Sequence, residues 1–321
     1  MSSFVLQRLL SFFITLAVTS VMVFGILEWL PGNAAQVILG ETATSESLAA
    51  MEEKLGLHQP ALTRYVEWAG GLLQGQSGLS ISYSTPTLEL ITERLQVTLP
   101  LAVLAMLITV VAALSLGLYA ASKHNTSADL GVMTLSQLGL AIPNFWLAIL
   151  LILLFAVQLQ WVSAGGFPGW TEEAGGGLLQ ALSALILPAV ALAAVQTAIL
   201  TRVTRSAVIE SMGEDYVRTA RAKGLTKQQV LWRHVLRNAM IPVVTIMGLQ
   251  FGNLITSAIV IENVFVLPGI GRLIFQAIAN RDLVVVRDVV MLLAAMVIAI
   301  NFLIDILYAW IDPRLQDGVN T

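Results

Sequence analysis

Long apolar stretches without period-two alternation follow one another along this chain. Six of them reach the roughly 20 residues a helix needs to cross a bilayer. They lie at about 9–30, 98–121, 131–157, 178–201, 239–261 and 289–311. The stretches 98–121, 131–157, 178–201 and 239–261 hold no charged residue. Strands of a membrane barrel would run about ten residues with alternating polarity, so the pattern predicts helices. The first stretch exceeds the roughly 7–15 apolar residues of a secretory leader, and Glu28 and Trp29 stand near its end. It is read as a retained span. The expected fold class is an all-α polytopic membrane protein with six transmembrane helices in one membrane domain, 1–321.

The polar connections differ in character. In 31–97, "SESLAAMEEKLGL" predicts a short amphipathic helix with Ser45 or Ser47 near its N-cap, and "GGLLQGQSGLSISYSTP" predicts turns with a short strand. The glycine-rich loop "SAGGFPGWTEEAGGG" has no basic residue and reads as irregular. The connection between the fourth and fifth spans is an island. "SMGEDYVRTARAKGLTKQQ", Ser211–Gln229, carries six charged side chains in nineteen residues, in a chain that is 57% hydrophobic and 12% charged. Ser211 with Glu214, and Thr226 with Gln229, have capping-box spacing. Gly224 suits the position just past a helix end. The island predicts a short helix over about 212–222, a sharp turn, and a second helix from 227. Pro242 either kinks that second helix or ends its interfacial part.

Tyr216 and Ala220 share one face of the first short helix, with Val217 and Gly224 beside them. Arg218, Arg221 and Lys223 ring this patch. A helix resting on anionic lipid needs large apolar residues on its buried face. Small residues fit close docking into a protein groove better.

With six spans both ends lie on one side. Eleven of the seventeen basic residues fall on the side of Arg8 and the island, which marks that side as cytoplasmic. Three of the other six lie in 31–97, a segment long enough to translocate regardless of charge. The net charge of −3 suggests no nucleic-acid partner, and the chain has no cysteine. No phosphate-binding G-x-x-x-x-G-K-[ST] loop occurs, so any ATP is expected on another chain. His58, His124 and His234 are far apart and predict no metal site.

Within the spans, Gly248 and Gly252 form a G-x-x-x-G that permits close helix packing. Gln250, Asn253 and Ser257 share another face, either lining a weakly selective pathway or bonding neighbouring helices. Asp305 is expected to pair with Arg202 or Arg205, because an acid inside a span is costly alone; the alternative is that it snorkels to water at the interface.

"EDYVRTARAKGLTKQQVLWRHVLRNAMIPV" resembles the EAA loop of ABC importer permeases. "EKLGLHQPALTRYVEWAGGLLQG", "LAIPNFWLAILLILLFAVQLQWVSAGGF", "ENVFVLPGIGRLIFQAIANRDLVVV" and "LIDILYAWIDPR" resemble the dipeptide/oligopeptide/nickel branch of that family, in order and over nearly the whole chain. Asn33 departs from it, since the branch usually has aspartate there. The resemblance implies a type I importer permease fold with 31–97 extracytoplasmic and 211–238 as the cytoplasmic coupling loop. It implies a bacterial inner-membrane subunit that works with a second permease, two ATPase subunits and a periplasmic solute-binding protein. It places ATP and Mg on the ATPase partners, leaves no cofactor in this chain, and assigns contact with the ATPase to Glu214, Tyr216, Arg218, Ala220, Arg221 and Gly224. Peptides, nickel, opines and sugars are all carried in this branch. A self-contained secondary transporter and a membrane scaffold with a docking loop remain open as alternatives.

Overall fold

The computed structural model describes residues 2–29, 35, 39, 44–54 and 58–311. Asn33, and residues 312–314 that close the stretch "LIDILYAWIDPR", lie outside the described residues. The helices are α1 (Ser2–Trp29), α2 (Ser45–Lys54), α3 (Ala61–Leu73), α4 (Thr87–Ser122), α5 (Ser127–Ala141), α6 (Asn144–Leu151), α7 (Leu178–Gly213), α8 (Asp215–Ala222), α9 (Lys227–Val230), α10 (Leu236–Val264), α11 (Ile270–Ala279) and α12 (Leu283–Ile311). π-Helical turns extend α6 over Ile152–Gln158 and join α9 to α10 over Leu231–Val235. Among the described residues, β pairing is confined to an isolated bridge between Leu79 and Pro86.

Among the described residues, five helices are long and apolar enough to cross a membrane: Val5–Trp29, Thr87–Ser122, Leu178–Gly213, Lys227–Val264 and Leu283–Ile306. The remaining apolar run, expected as a span over 131–157, is a broken pair. α5 and the extended α6 meet at a bend of 101°. Pro143 disfavours the helical region for its predecessor, and Ile142 takes φ −89°, ψ 122°. Pro100, Pro188 and Pro242 instead lie inside helices that continue through them. Pro242 therefore does not end the helix it enters.

The chain forms two compact units. One holds Leu99–Leu267 and the chain from Leu303 onward. In it α7 packs most extensively against α10, and also against α5 and α6. Gly248 of α10 allows close contact with the last helix, since a Cβ there would lie 2.5 Å from Ile304 Cγ1. The glycine-rich loop is irregular, as expected, and its Gly166 N–H donates to Phe265 O at 2.9 Å.

The other unit holds residues 2–98 and 268–302. α1 packs on α3 through Phe24, whose ring lies 5.5 Å from that of Tyr65 and 5.8 Å from that of Trp68. Two buried carboxylates fasten the region between α3 and α4 to the start of α12. Asp282 accepts from Ser80 Oγ at 2.6 Å and Ser82 N at 2.9 Å. Asp288 accepts from Trp68 Nε1 at 2.8 Å and from Thr87 Oγ1. The residue capping α2 is Thr44, one before Ser45: its Oγ1 accepts from Ser47 N at 3.2 Å.

Candidate functional site

The charged island forms an elbow. α7 does not stop at the expected residue 201 but runs on to Gly213, because Ala207 and Val208 continue its buried face. Ser211 is consequently helical and caps nothing. The N-cap of α8 is Glu214, in extended conformation and without a side-chain cap bond, which corrects the Ser211–Glu214 capping box. The second box forms as expected: Gln229 N donates to Thr226 Oγ1 at 3.3 Å, and Thr226 N donates to Gln229 Oε1 at 3.0 Å.

Between α8 and this box the chain turns at Gly224, with φ +86°. Leu225 N donates to Ala220 O at 3.3 Å, and Gly224 N to Arg221 O at 3.0 Å. These are the two bonds of a Schellman motif, which requires a left-handed residue at the turn.

The small face of α8 points inward. Val217 and Ala220 are buried in a core with Leu200, Val208, Val230, Val235 and Val243. Tyr216 is half-buried and packs against the same core. Ala220 is therefore not an outward docking surface: an eight-residue helix is held to its own bundle by its few apolar side chains. Each fully buried valine contributes about 1.5–3 kcal/mol. What α8 presents outward is Glu214, Asp215, Arg218, Thr219 and Arg221, all exposed. The exposed Arg218–Asp215 pair, at 3.3 Å, holds neither group firmly.

The polar residues of α10 separate. Gln250 is buried, and its Nε2 donates to Gln196 O of α7 at 3.2 Å. It bonds a neighbouring helix and does not line an open face. Asn253 is exposed and Ser257 half-buried.

Arg205 has a partner that sequence reasoning missed. Its Nε lies 2.6 Å from Asp129 Oδ1 and its Nη2 2.7 Å from Asp129 Oδ2. Asp129 is buried and also accepts from Asn125 N at 3.0 Å. His124 Nδ1 lies 3.2 Å from Arg205 Nη2. Both oxygens of Asp129 hold one guanidinium fork, so Arg205 is engaged here and not by the expected Asp305. Asp305 is half-buried and Arg202 exposed. The available signal was Thr126-x-x-Asp129, an acid three residues into a helix after a turn. Asp282 and Asp288 gave no such local sign.

A family model described as "Binding-protein-dependent transport system inner membrane component" matches residues 113–317. Its N-terminal companion matches residues 1–102. A putative peptide transport system permease protein of Brucella suis biovar 1 (strain 1330) is 40% identical over 98% of this chain and 99% of its own. The dipeptide transport system permease protein DppB of Alkalihalophilus pseudofirmus is 36% identical over 98% of this chain and 100% of its own. A solved structure of inward-facing conformations of the MetNI methionine ABC transporter superposes with a TM-score of 0.57. It covers 70% of this chain and 96% of that one, at 20% identity.

Proposed function

The chain belongs to the inner-membrane components of binding-protein-dependent transport systems, and from that membership we propose that it carries small peptides inward as a subunit of an ATP-driven importer. In this reading α8 receives the movement of a separate ATPase subunit and passes it to the helices. The observation that carries it is how α8 is held. Its inner face is locked into the bundle core, a left-handed glycine and a capping box fix the turn after it, and its outer face is charged and exposed. A movement imposed on such an element must reach α7 and α10. Energy passes only if the ATP-bound and ATP-free partners contact α8 differently.

The contact residues are Glu214, Arg218 and Arg221. Tyr216, Ala220 and Gly224 hold the helix in place behind them. The partners are two ATPase subunits that bind ATP and Mg, a second permease and an external solute-binding protein. Both ends of the chain lie in the cytoplasm, and Asn253 and Ser257 line the solute path. Peptide is the favoured solute because the relatives bear that name.

The test is co-purification of the chain with its ATPase subunits, followed by ATP-driven uptake in reconstituted vesicles. The double substitution Arg218→Glu, Arg221→Glu should abolish co-purification and uptake while membrane insertion persists. Full co-purification by that variant would remove α8 from the role. Uptake of another solute but of no di- or tripeptide would keep the importer and discard the peptide assignment.

A further inference from the structure

A pocket of about 420 Å³ opens in the unit formed by residues 2–98 and 268–302. Its volume lies within the range of small-molecule sites. It is lined by the end of α1, by α3, by the turn after α3 and by the first residues of α12. Four charged side chains face it, Glu28, Arg64, Glu67 and Arg287, and the walls between them include Phe24, Trp68 and Leu283.

The four charges are not equivalent. Arg64 Nη2 is paired with Glu28 Oε1, so these two form a neutral wall. Arg287 is held by stacking: its guanidinium carbon lies 4.8 Å from the centre of the Trp68 ring and 5.9 Å from that of Phe24. Its nearest carboxylate is Asp288, 3.6 Å from Nε, beyond hydrogen-bond reach. Both oxygens of Asp288 already accept bonds, from Trp68 and Thr87. Arg287 Nε is buried without a hydrogen-bond partner among the described residues. No hydrogen bond engages the Nη atoms of Arg287 among the described residues, so the stacked guanidinium keeps those donors to offer, the arrangement that suits a planar carboxylate or a phosphate. Glu67 is exposed beside Trp68 on α3, and no hydrogen bond or ion pair engages it among the described residues.

We propose that this pocket binds a small zwitterionic group, its anionic oxygens on Arg287 and its ammonium on Glu67, between the Phe24–Trp68 wall and the Glu28–Arg64 pair. The site is separate from α8 and does not depend on the transport reading. Two sources carry this chemistry: a free amino acid or short peptide, and the headgroup of an ethanolamine phospholipid.

The full chain, purified in detergent, would be titrated with L-alanyl-L-alanine and with its N-acetyl derivative, which lacks the ammonium. In parallel it would be exposed to phosphatidylethanolamine or phosphatidylglycerol and examined by native mass spectrometry. The expected result is binding of alanyl-alanine, identifying a free solute, or retention of phosphatidylethanolamine, identifying the lipid. The N-acetyl peptide and phosphatidylglycerol should bind about tenfold more weakly or not at all. Glu67→Gln and Arg287→Lys should each weaken binding by about tenfold or more, the second because lysine cannot present a guanidinium fork. Should Arg287→Lys fail to fold, Glu67→Gln, at an exposed position, decides alone. Binding of neither zwitterion, equal binding of the probes lacking the ammonium, or unchanged binding by Glu67→Gln would overturn the proposal.

Discussion

Replacing Gly224 tests the elbow without touching any contact. An added Cβ there meets nothing within 4 Å, so packing is not at stake. What changes is the backbone. At φ +86° a side chain with a Cβ costs about 1–2 kcal/mol. Asparagine, which tolerates this region, should cost least. Valine, branched at Cβ, should cost most, with alanine between them. The penalty falls on the Schellman bonds, so the turn should open more often by about 5- to 30-fold. Amide hydrogen exchange on the detergent-purified chain reads this directly at Leu225, whose N–H is bonded to Ala220 O. Exchange at Leu225 should accelerate in the order Asn, Ala, Val, while amides in the middle of α4 stay protected. Unchanged exchange in Gly224→Val, or equal acceleration by all three, would refute the claim that the left-handed turn holds α8 in place.

Other perturbations address other joints. Asp129→Asn removes the charge that meets the Arg205 fork, and breaking a buried pair costs about 3–5 kcal/mol. Arg205 is 21% exposed, which places the loss at the low end. Thermal unfolding in detergent should record the drop, and Arg205→Met added to it should recover part; absence of any recovery would contradict a direct pair. Gly248→Leu should overpack against Ile304 by about 1–3 kcal/mol, and Ile304→Ala should relieve it in the same melting assay. Single cysteines at Ser77→Cys, Thr126→Cys and Gln228→Cys are clean probes, because the chain has no cysteine. An impermeant thiol reagent should label the first but not the other two from outside, and the opposite pattern would invert the topology.

Apolar length was enough to find α4, α7, α10 and α12, because a spanning helix is specified by a property summed over some twenty residues. The turn at Gly224 and the box at Thr226 were legible for the opposite reason: their bonds join residues at most five apart. Failures came where the deciding contact is distant in sequence. Ser211 looked like a cap because the local pattern cannot say that Ala207 and Val208 have a core to bury in. Ala220 was recognisably on a small face, but only the packed bundle shows that the face is turned inward. Arg205 finds Asp129 across 76 positions, and Asp282 reaches Ser80 across 202. Neither spacing leaves a periodic trace. Pro143 was visible as a residue, yet Pro100, Pro188 and Pro242 are passed by unbroken helices. Packing decides which proline becomes a bend.

The passage from Lys227 to Val264 is one unbroken run of 38 helical residues. At 1.5 Å per residue it is a rod about 57 Å long. A rod of that length has no slack to take up a push. If its elbow end is moved sideways by about 5 Å while the far end is held, the whole axis must tilt by roughly 5°. Distance along the rod then sets the gearing: residues near the pivot barely move, and those near the elbow sweep widest. The π-helical turn at Leu231–Val235 sits at the wide end, so any compliance there would be lost motion before it reached the apolar part of the shaft.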